Sequence, residues 1–398
     1  MPDTSPLLPF SSPTRKHFLD NLRTTLTVLL VVHHALIETS QSINKASNSS
    51  VLALLVTSNK AFLWSTFFFI SGHATSLSLA FRTSNLRVFT RKAIKVTTPA
   101  IIYAVVGQLA LLYFLSMHWD YIFGKFHDMF AYTRLSGPVA YVLLLFIFDS
   151  LAIIIRRFSF PSWLNPNFSP RTTIFLSFIF LTIFTFLNAA YFVPRISTPS
   201  FLVNRLYDTP TASFPASHIV AYAAGSQFKS LKRTLLSSSF NSAVFGLVAS
   251  ITISLVSLSY AQSQWQAIAN LVHIQPIGQA SPVFIDGGLN AHTVFFSFWS
   301  SFTLFTIPIS LLSTFYHASF TSRSWGVLGR KTYIQTYIHM IPTLVALYHL
   351  KRVSNVEVRS GLVVTCAVTG SWMLAFIIYA TVDYAKSAGK GVRRYMRW

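Results

Sequence analysis

About ten apolar segments, each roughly twenty residues long, recur along the 398-residue chain and constrain its fold more than any other feature. A helix needs about 20 mainly apolar residues to cross a bilayer, where its backbone polar groups must bond within the helix. Charged residues make up only 10% of the chain and hydrophobic residues 52%, a balance that ordinary soluble domains do not have. We therefore predict an all-α, polytopic integral membrane protein with about ten transmembrane helices, over residues 20–39, 61–81, 95–117, 137–155, 173–193, 214–228, 240–260, 292–315, 331–350 and 361–384.

The basic residues give these predicted helices an orientation. If the N-terminus is cytoplasmic, most Lys and Arg residues fall on the cytoplasmic side, as the positive-inside rule requires, and both termini are cytoplasmic. The net charge of +21 then reflects topology and attraction to anionic membrane lipid rather than nucleic-acid binding. We divide the chain into a disordered tail over 1–17, a transmembrane domain over 18–385 and a basic tail over 386–398. The cytoplasmic set comprises 22 of the 31 basic residues: Arg15, Lys16, Arg23, Arg82, Arg87, Arg91, Lys92, Lys95, Arg156, Arg157, Arg171, Lys229, Lys232, Arg233, Arg323, Arg330, Lys331, Lys386, Lys390, Arg393, Arg394 and Arg397.

Ionisable residues lie inside the first predicted span. In the segment "RTTLTVLLVVHH", Arg23 and His34 are separated by three helical turns plus about 20°, which is roughly 16 Å of rise. The two side chains therefore share one face of the helix, whereas His33 points about 80° away from Arg23. Glu38 follows His34 by one turn and lies on the same stripe. Because ionisable groups are costly inside a membrane, we predict a functional site here; the simpler interpretation is a buried His bonded to a neighbouring helix.

A basic cluster opens the third predicted span. In "FTRKAIKVTTP", Arg91 and Lys95 are one helical turn apart at the cytoplasmic entrance, with Lys92 beside them. Such a cluster is able to hold phosphate groups electrostatically. The alternative is that these residues only follow the rule that every cytoplasmic loop is basic.

Two further segments place polar residues within predicted spans. In "LGRKTYIQTYIHMIP", Tyr333 and Tyr337 are four residues apart, and His339 follows inside an apolar run, where it requires a partner. In "FFFISGHATS", Gly72 and its small neighbour Ser71 permit a close approach of two backbones or a bend. The single Cys366 excludes an intrachain disulfide, and we expect no metal site.

Taken in order, these segments resemble those of the membrane acyltransferase 3 family, and of its fungal members in particular. The resemblance extends over about residues 17–385, and it is the ordered set of motifs that is specific. The first helix resembles the family's pattern of a basic residue, ten intervening residues and a His. The other matching segments are "FFFISGHATSLSL", "RKAIKVTTPAIIY", "SGPVAYVLLLFIFD", "FPASHIVAYAAGSQFKS" and "LGRKTYIQTYIHMI".

This resemblance implies transfer of an acyl group, usually acetyl, from cytoplasmic acyl-CoA to a hydroxyl of a sugar or small lipophilic acceptor. His34 would act as general base or carry the acyl group, Arg23 would bind the donor or orient the site, and Glu38 would fix the His34 tautomer. Binding of acyl-CoA, the co-substrate, would involve Arg91, Lys92, Lys95, Tyr333, Tyr337 and His339.

Two departures from the family pattern keep other functions open. Ala140 and Tyr141 follow "GP" where the family has Trp and Phe, and Ser300 stands where an acidic residue is common. One alternative is a catalytically silent relative that binds acyl-CoA without turnover. Another is a secondary transporter, which would show internal repeats and paired broken helices that the sequence does not clearly contain.

Overall fold

The structure is a computed structural model that describes residues 17–42, 50–80, 89–90, 93–103, 138–157, 169–187, 214–272 and 291–395. Within these ranges all regular secondary structure is helical. The α-helices are α1 (His17–Ser42), α2 (Ser50–Ala80), α3 (Thr98–Ile102), α4 (Pro138–Arg157), α5 (Pro170–Leu187), α6 (Phe214–Ser226), α7 (Phe228–Leu235), α8 (Phe240–Val272), α9 (Ala291–His317), α10 (Val327–Ile338), α11 (Met340–His349) and α12 (Val356–Tyr395). A π-helical turn, Ala93–Thr97, precedes α3, and a 3-10 turn, Ser319–Thr321, follows α9.

Among the described residues, four helical stretches are long and apolar enough to cross a membrane: Pro170–Leu187, Phe240–Ala261, Thr293–His317 and Val356–Tyr384. Two shorter apolar stretches are Tyr141–Ile155 and Met340–His349. The chain is thus an all-helical, membrane-embedded protein, which confirms the coarse prediction of fold. The count of ten spans stays a prediction, since most of 95–117 lies outside the described residues. The predicted basic tail is helical as far as Tyr395, where α12 ends.

Helix α1 lies at the centre of the bundle. It contacts α2, α9, α10, α11 and α12, and Leu22, Leu26 and Val31 are completely buried. By contrast, α8 has an open apolar surface on which Phe245 is 74% exposed. This difference explains why α1 tolerates several ionisable side chains, because polar groups in a membrane protein are stable where they face other helices.

Helices α2 and α6 make a close backbone contact. A Cβ atom on Gly72 would overlap the carbonyl oxygen of Tyr222, and one on Gly225 would overlap that of Phe69. Only glycine permits such an approach, since any side chain would overlap the facing backbone. The prediction of a close backbone approach at Gly72 is confirmed.

The predicted span 331–350 is interrupted at His339, where α10 ends and α11 begins. Pro342 has no N–H to donate to the carbonyl of Ile338, four residues earlier, which weakens the helix at this point. The proline ring fits against α12 at Gly370, where a Cβ atom would lie 2.7 Å from Pro342 Cβ. The proline therefore determines where His339 lies in the bundle.

Several loops and helix ends meet at the end of the bundle where α1 begins, which we call the basic end. Asn21 of α1 donates hydrogen bonds to the carbonyl oxygens of Thr321 and Arg323, at 2.8 and 2.7 Å. Lys232 of α7 lies over the ring of Tyr316, 4.8 Å from its centroid. These contacts place the N-terminus of α1, α7, the C-terminus of α9 and the start of α10 together. That this end faces the cytoplasm stays a prediction.

Candidate functional site

The side chain of His34 contacts a second histidine in the interior of the bundle. Its Nδ1 atom lies 2.7 Å from Nε2 of His339, and the two rings stack with centroids 4.9 Å apart. Helices α1 and α10 run parallel here, since Thr24 also bonds Thr332 nearer the basic end, at 3.2 Å. The break before α11 allows the His339 ring to reach α1.

The hydrogen bonds of His339 define the tautomers of both rings. A carbonyl oxygen only accepts, so Nδ1 of His339 must donate to the carbonyl oxygen of Thr336, 2.9 Å away. In a neutral His339, Nε2 is then an acceptor, and His34 must donate to it from Nδ1. A neutral His34 therefore carries its lone pair on Nε2, the ring atom that these two hydrogen bonds leave available for chemistry.

Among the three histidines gathered here, accessibility distinguishes His34. The side chains of His33 and His339 are 1% and 0% exposed, whereas His34 is only half-buried. The adjacent residues of α1 thus face different surroundings, as their 100° separation requires. Of the three histidines, His34 has the largest exposed fraction.

Two aromatic rings lie beside His34. The indole of Trp64 on α2 lies 6.4 Å from the His34 ring, and Tyr141 on α4 packs beside Trp64 with ring centroids 5.5 Å apart. Arg23 is exposed and lies 3.7 Å from Asp20. Helix α1 is continuous from His17 to Ser42, so Arg23 and His34 lie on one face of it, as the sequence predicts.

The residues predicted to bind the donor fall into three groups. Tyr333 and Tyr337 share a hydrogen bond of 2.9 Å, and Tyr337 packs 5.3 Å from Tyr103 at the end of the third-span segment 93–103. The structure thus brings both tyrosines to the segment that follows the predicted basic entrance. Only the backbone of Lys95, in the π-helical turn, is described. Arg91 and Lys92 lie outside the described residues, and their predicted phosphate contacts stay predictions.

Two other charged residues lie near the histidines. Glu38 is half-buried one turn beyond His34, and its role in fixing the His34 tautomer stays a prediction; Nδ1 of His34 pairs with His339. Lys60 on α2 was not predicted; its ammonium group is close enough to act electrostatically on both His33 and His34.

The pairing of His34 with His339 was missed, although the sequence contains a signal for it. His34 follows Arg23 by eleven residues and His339 follows Lys331 by eight, and both predicted spans start from the same side. Two histidines at similar depth in parallel helices are candidates to meet. We had instead placed His339 with the donor-binding residues.

The fold and this site describe an all-helical, membrane-embedded protein with a buried histidine pair, one member of which is accessible. No protein-family model, curated protein or solved structure matches the chain.

Proposed function

We propose that the protein is a membrane-embedded acyltransferase that moves an acyl group from acyl-CoA to a hydroxyl of a sugar or a small lipophilic molecule. The observation that carries this proposal is the hydrogen bond between His34 and His339. It supports a neutral His34 with a lone pair on Nε2, and His34 is also the accessible ring. The order of sequence motifs shared with the acyltransferase 3 family supplies the reaction class.

In the proposed reaction, Nε2 of His34 removes the proton from the acceptor hydroxyl. The oxygen attacks the thioester carbonyl, the carbon–sulfur bond breaks, and the thiolate takes the proton from His34 to leave as free CoA. His339 holds the ring through Nδ1 and shares the positive charge that forms on His34. In the alternative route, Nε2 attacks the thioester carbonyl carbon, the carbon–sulfur bond breaks and CoA leaves as the thiolate. The acceptor hydroxyl then attacks the acyl group on Nε2, the carbon–nitrogen bond breaks, and the released thiolate takes up the hydroxyl proton.

The donor would approach from the basic end. Its phosphates would meet Arg91, Lys92 and Lys95, and its thioester arm would run past Tyr333 and Tyr337 toward His34. Arg23, at the mouth of this path, would stabilise negative charge on the donor. Glu38 would help to orient the His34 ring, together with His339, which bonds its Nδ1.

The test is turnover by the full chain purified in detergent. Acetyl-CoA is mixed with a panel of sugars and hydroxylated lipids, and free CoA and acetylated product are measured by mass spectrometry. We expect equal amounts of the two, and their loss in His34→Ala. A mass increase of one acetyl group on the His34 peptide before acceptor addition would select the nucleophilic route.

Two results would contradict the proposal. Tight acyl-CoA binding without any product from an active, folded preparation would indicate the silent relative. Uptake of unmodified solutes into proteoliposomes, with acetyl-CoA neither bound nor consumed, would indicate the transporter.

A further inference from the structure

An apolar cavity of about 80 Å³ lies on the opposite side of α2 from the histidine pair. It is enclosed by α2, α5, α6, α7 and α9, with Phe69, Ile174, Ala224, Leu235 and Pro308 among its lining residues. Consecutive residues of α2 separate the two sites, since Trp64 contacts His34 whereas Ser65 lines the cavity. The cavity is therefore distinct from the proposed acyl-transfer site.

The wall of this cavity presents carbon rather than polar atoms. Its two hydroxyl-bearing residues already use their hydroxyl groups elsewhere. Thr66 donates to the carbonyl oxygen of Phe62 at 2.7 Å, and Ser65 bonds Nδ1 of His218 at 3.1 Å. A cavity of this kind excludes water, which needs two to four polar partners, and favours a hydrocarbon occupant.

The helices create this space and leave it partly open. Ala224 has a small side chain on the α6 face, and Pro308 interrupts the hydrogen bonding of α9. The lining residues Ile174 and Val220 are only half-buried, and their sequence neighbours Phe175 and Ile219 are 61% and 53% exposed. The cavity thus adjoins the apolar outer surface, so a hydrocarbon chain is able to enter from the bilayer.

Helix α7 closes the cavity at the basic end and is strongly amphipathic. Phe228, Leu231 and Leu235 are buried, and the last two line the cavity. Lys229 and Arg233 are exposed on the other side of the same helix, one turn apart. A helix with this pattern lies at a membrane interface, where its cations attract the phosphates of anionic lipids.

We propose that the cavity binds an acyl chain of an anionic phospholipid whose headgroup lies against Lys229 and Arg233. The apolar wall accounts for binding of the acyl chain, and the position of the two cations at the interface accounts for binding of the headgroup. An acyl-CoA tail is a poorer fit, because the cavity faces away from His34 and adjoins the lipid-exposed surface. This proposal does not depend on the acyltransferase function.

The test uses the full chain in lipid nanodiscs that contain phosphatidylglycerol with a photoreactive diazirine near the end of one acyl chain. After irradiation, mass spectrometry gives the adduct yield on the cavity segments 220–224 and 304–312. Phe245 supplies the reference for exposed surface, because its neighbour Gly246 faces Ser310 at the same depth. We expect a higher yield in the cavity than at Phe245.

Four variants sharpen the result. Ala224→Leu should lower the cavity yield to that of Phe245, whereas Ala223→Leu, at an exposed neighbouring position, should not. Ile174→Phe, on the peripheral helix α5, fills the cavity from the other side. It replaces Ala224→Leu as the cavity-filling variant if Ala224→Leu does not fold. Lys229→Gln with Arg233→Gln should remove the preference for phosphatidylglycerol over phosphatidylcholine carrying the same diazirine.

Two outcomes would overturn the assignment of the cavity to a lipid chain, and a third would overturn the choice of headgroup. One is a cavity yield no higher than that of Phe245, or unchanged when the cavity is filled. The other is cavity labelling by a diazirine-bearing octanoyl-CoA in place of the lipid, which would assign the cavity to the donor. Equal labelling by the two lipids in the parent protein would overturn the assignment to an anionic headgroup.

Discussion

Two histidines on either side of α2 differ in their surroundings. His218 is 4% exposed, its Nδ1 lies 3.1 Å from the hydroxyl of Ser65 and 3.2 Å from that of Ser217, and its ring stacks on Phe68 at 4.6 Å. His34 is also bonded through Nδ1, but it is half-buried and its partner is another imidazole. A histidine inside the bundle is therefore not by itself evidence of a site. We infer that the more exposed ring, with its lone pair on Nε2, is the better candidate.

The largest expected effect concerns His34. In His34→Ala, we expect acyl transfer per folded molecule to fall by about 10²- to 10⁴-fold, the usual cost of removing a general base. Binding of acyl-CoA should change little, because the donor phosphates are held elsewhere. The matched control is His33→Ala, which deletes the same side chain at the next position. Equal, mild losses in both variants would make His34 a packing residue like His218.

His339 should have the next largest effect. His339→Phe keeps a ring but removes the acceptor of the His34 N–H, and leaving such a group unsatisfied costs about 1–3 kcal/mol, or roughly 5- to 150-fold in rate. His339→Gln places an acceptor oxygen near the position of Nε2 and should restore part of the rate. The measurement is the transfer rate of both variants at saturating acetyl-CoA. A role confined to packing would instead favour Phe over Gln.

A smaller effect, on stability, is expected where α2 meets α6. Gly225→Ala puts a methyl group into the carbonyl of Phe69, so we expect a loss of about 1–3 kcal/mol in unfolding free energy. Gly361→Ala is the control, since nothing lies within 4 Å of the added Cβ there. Thermal unfolding in detergent compares the two. Equal melting temperatures would show that Gly225 and the carbonyl of Phe69 are farther apart than in the structure.

The smallest effect on transfer is expected for His218. His218→Phe keeps a ring that can stack on Phe68 and removes the hydrogen bonds of His218 to Ser65 and Ser217. Stability should fall by about 1–3 kcal/mol, because two buried hydroxyls lose a partner. The transfer rate per folded molecule should stay that of the parent protein. Loss of transfer comparable to that of His34→Ala would mean that the two sides of α2 form one site.

The sequence predicted the helices better than their partners. The apolar segments identified the start of α8, both ends of α9 and the start of α12 to within about five residues. Gly72 indicated the close approach of two backbones. The break at His339 lies close to Pro342, which is visible in the sequence, but the packing of Pro342 against Gly370 is not. Helix periodicity gives the face of a residue on its own helix and not the helix that covers it. For this reason His34 and His339 were both predicted as site residues, whereas their contact with each other was not.

The most direct test of the account is the tautomer of His34. Solid-state NMR of the protein labelled with ¹⁵N-histidine, with His34→Ala used to assign the signals, reports which ring nitrogen carries the proton. The account predicts that Nδ1 of His34 is protonated and bonded to the unprotonated Nε2 of His339. It also predicts that Nε2 of His34 is unprotonated. A proton on Nε2 of a neutral His34 would contradict it, because that atom would then be unable to take the acceptor's proton or the acyl group.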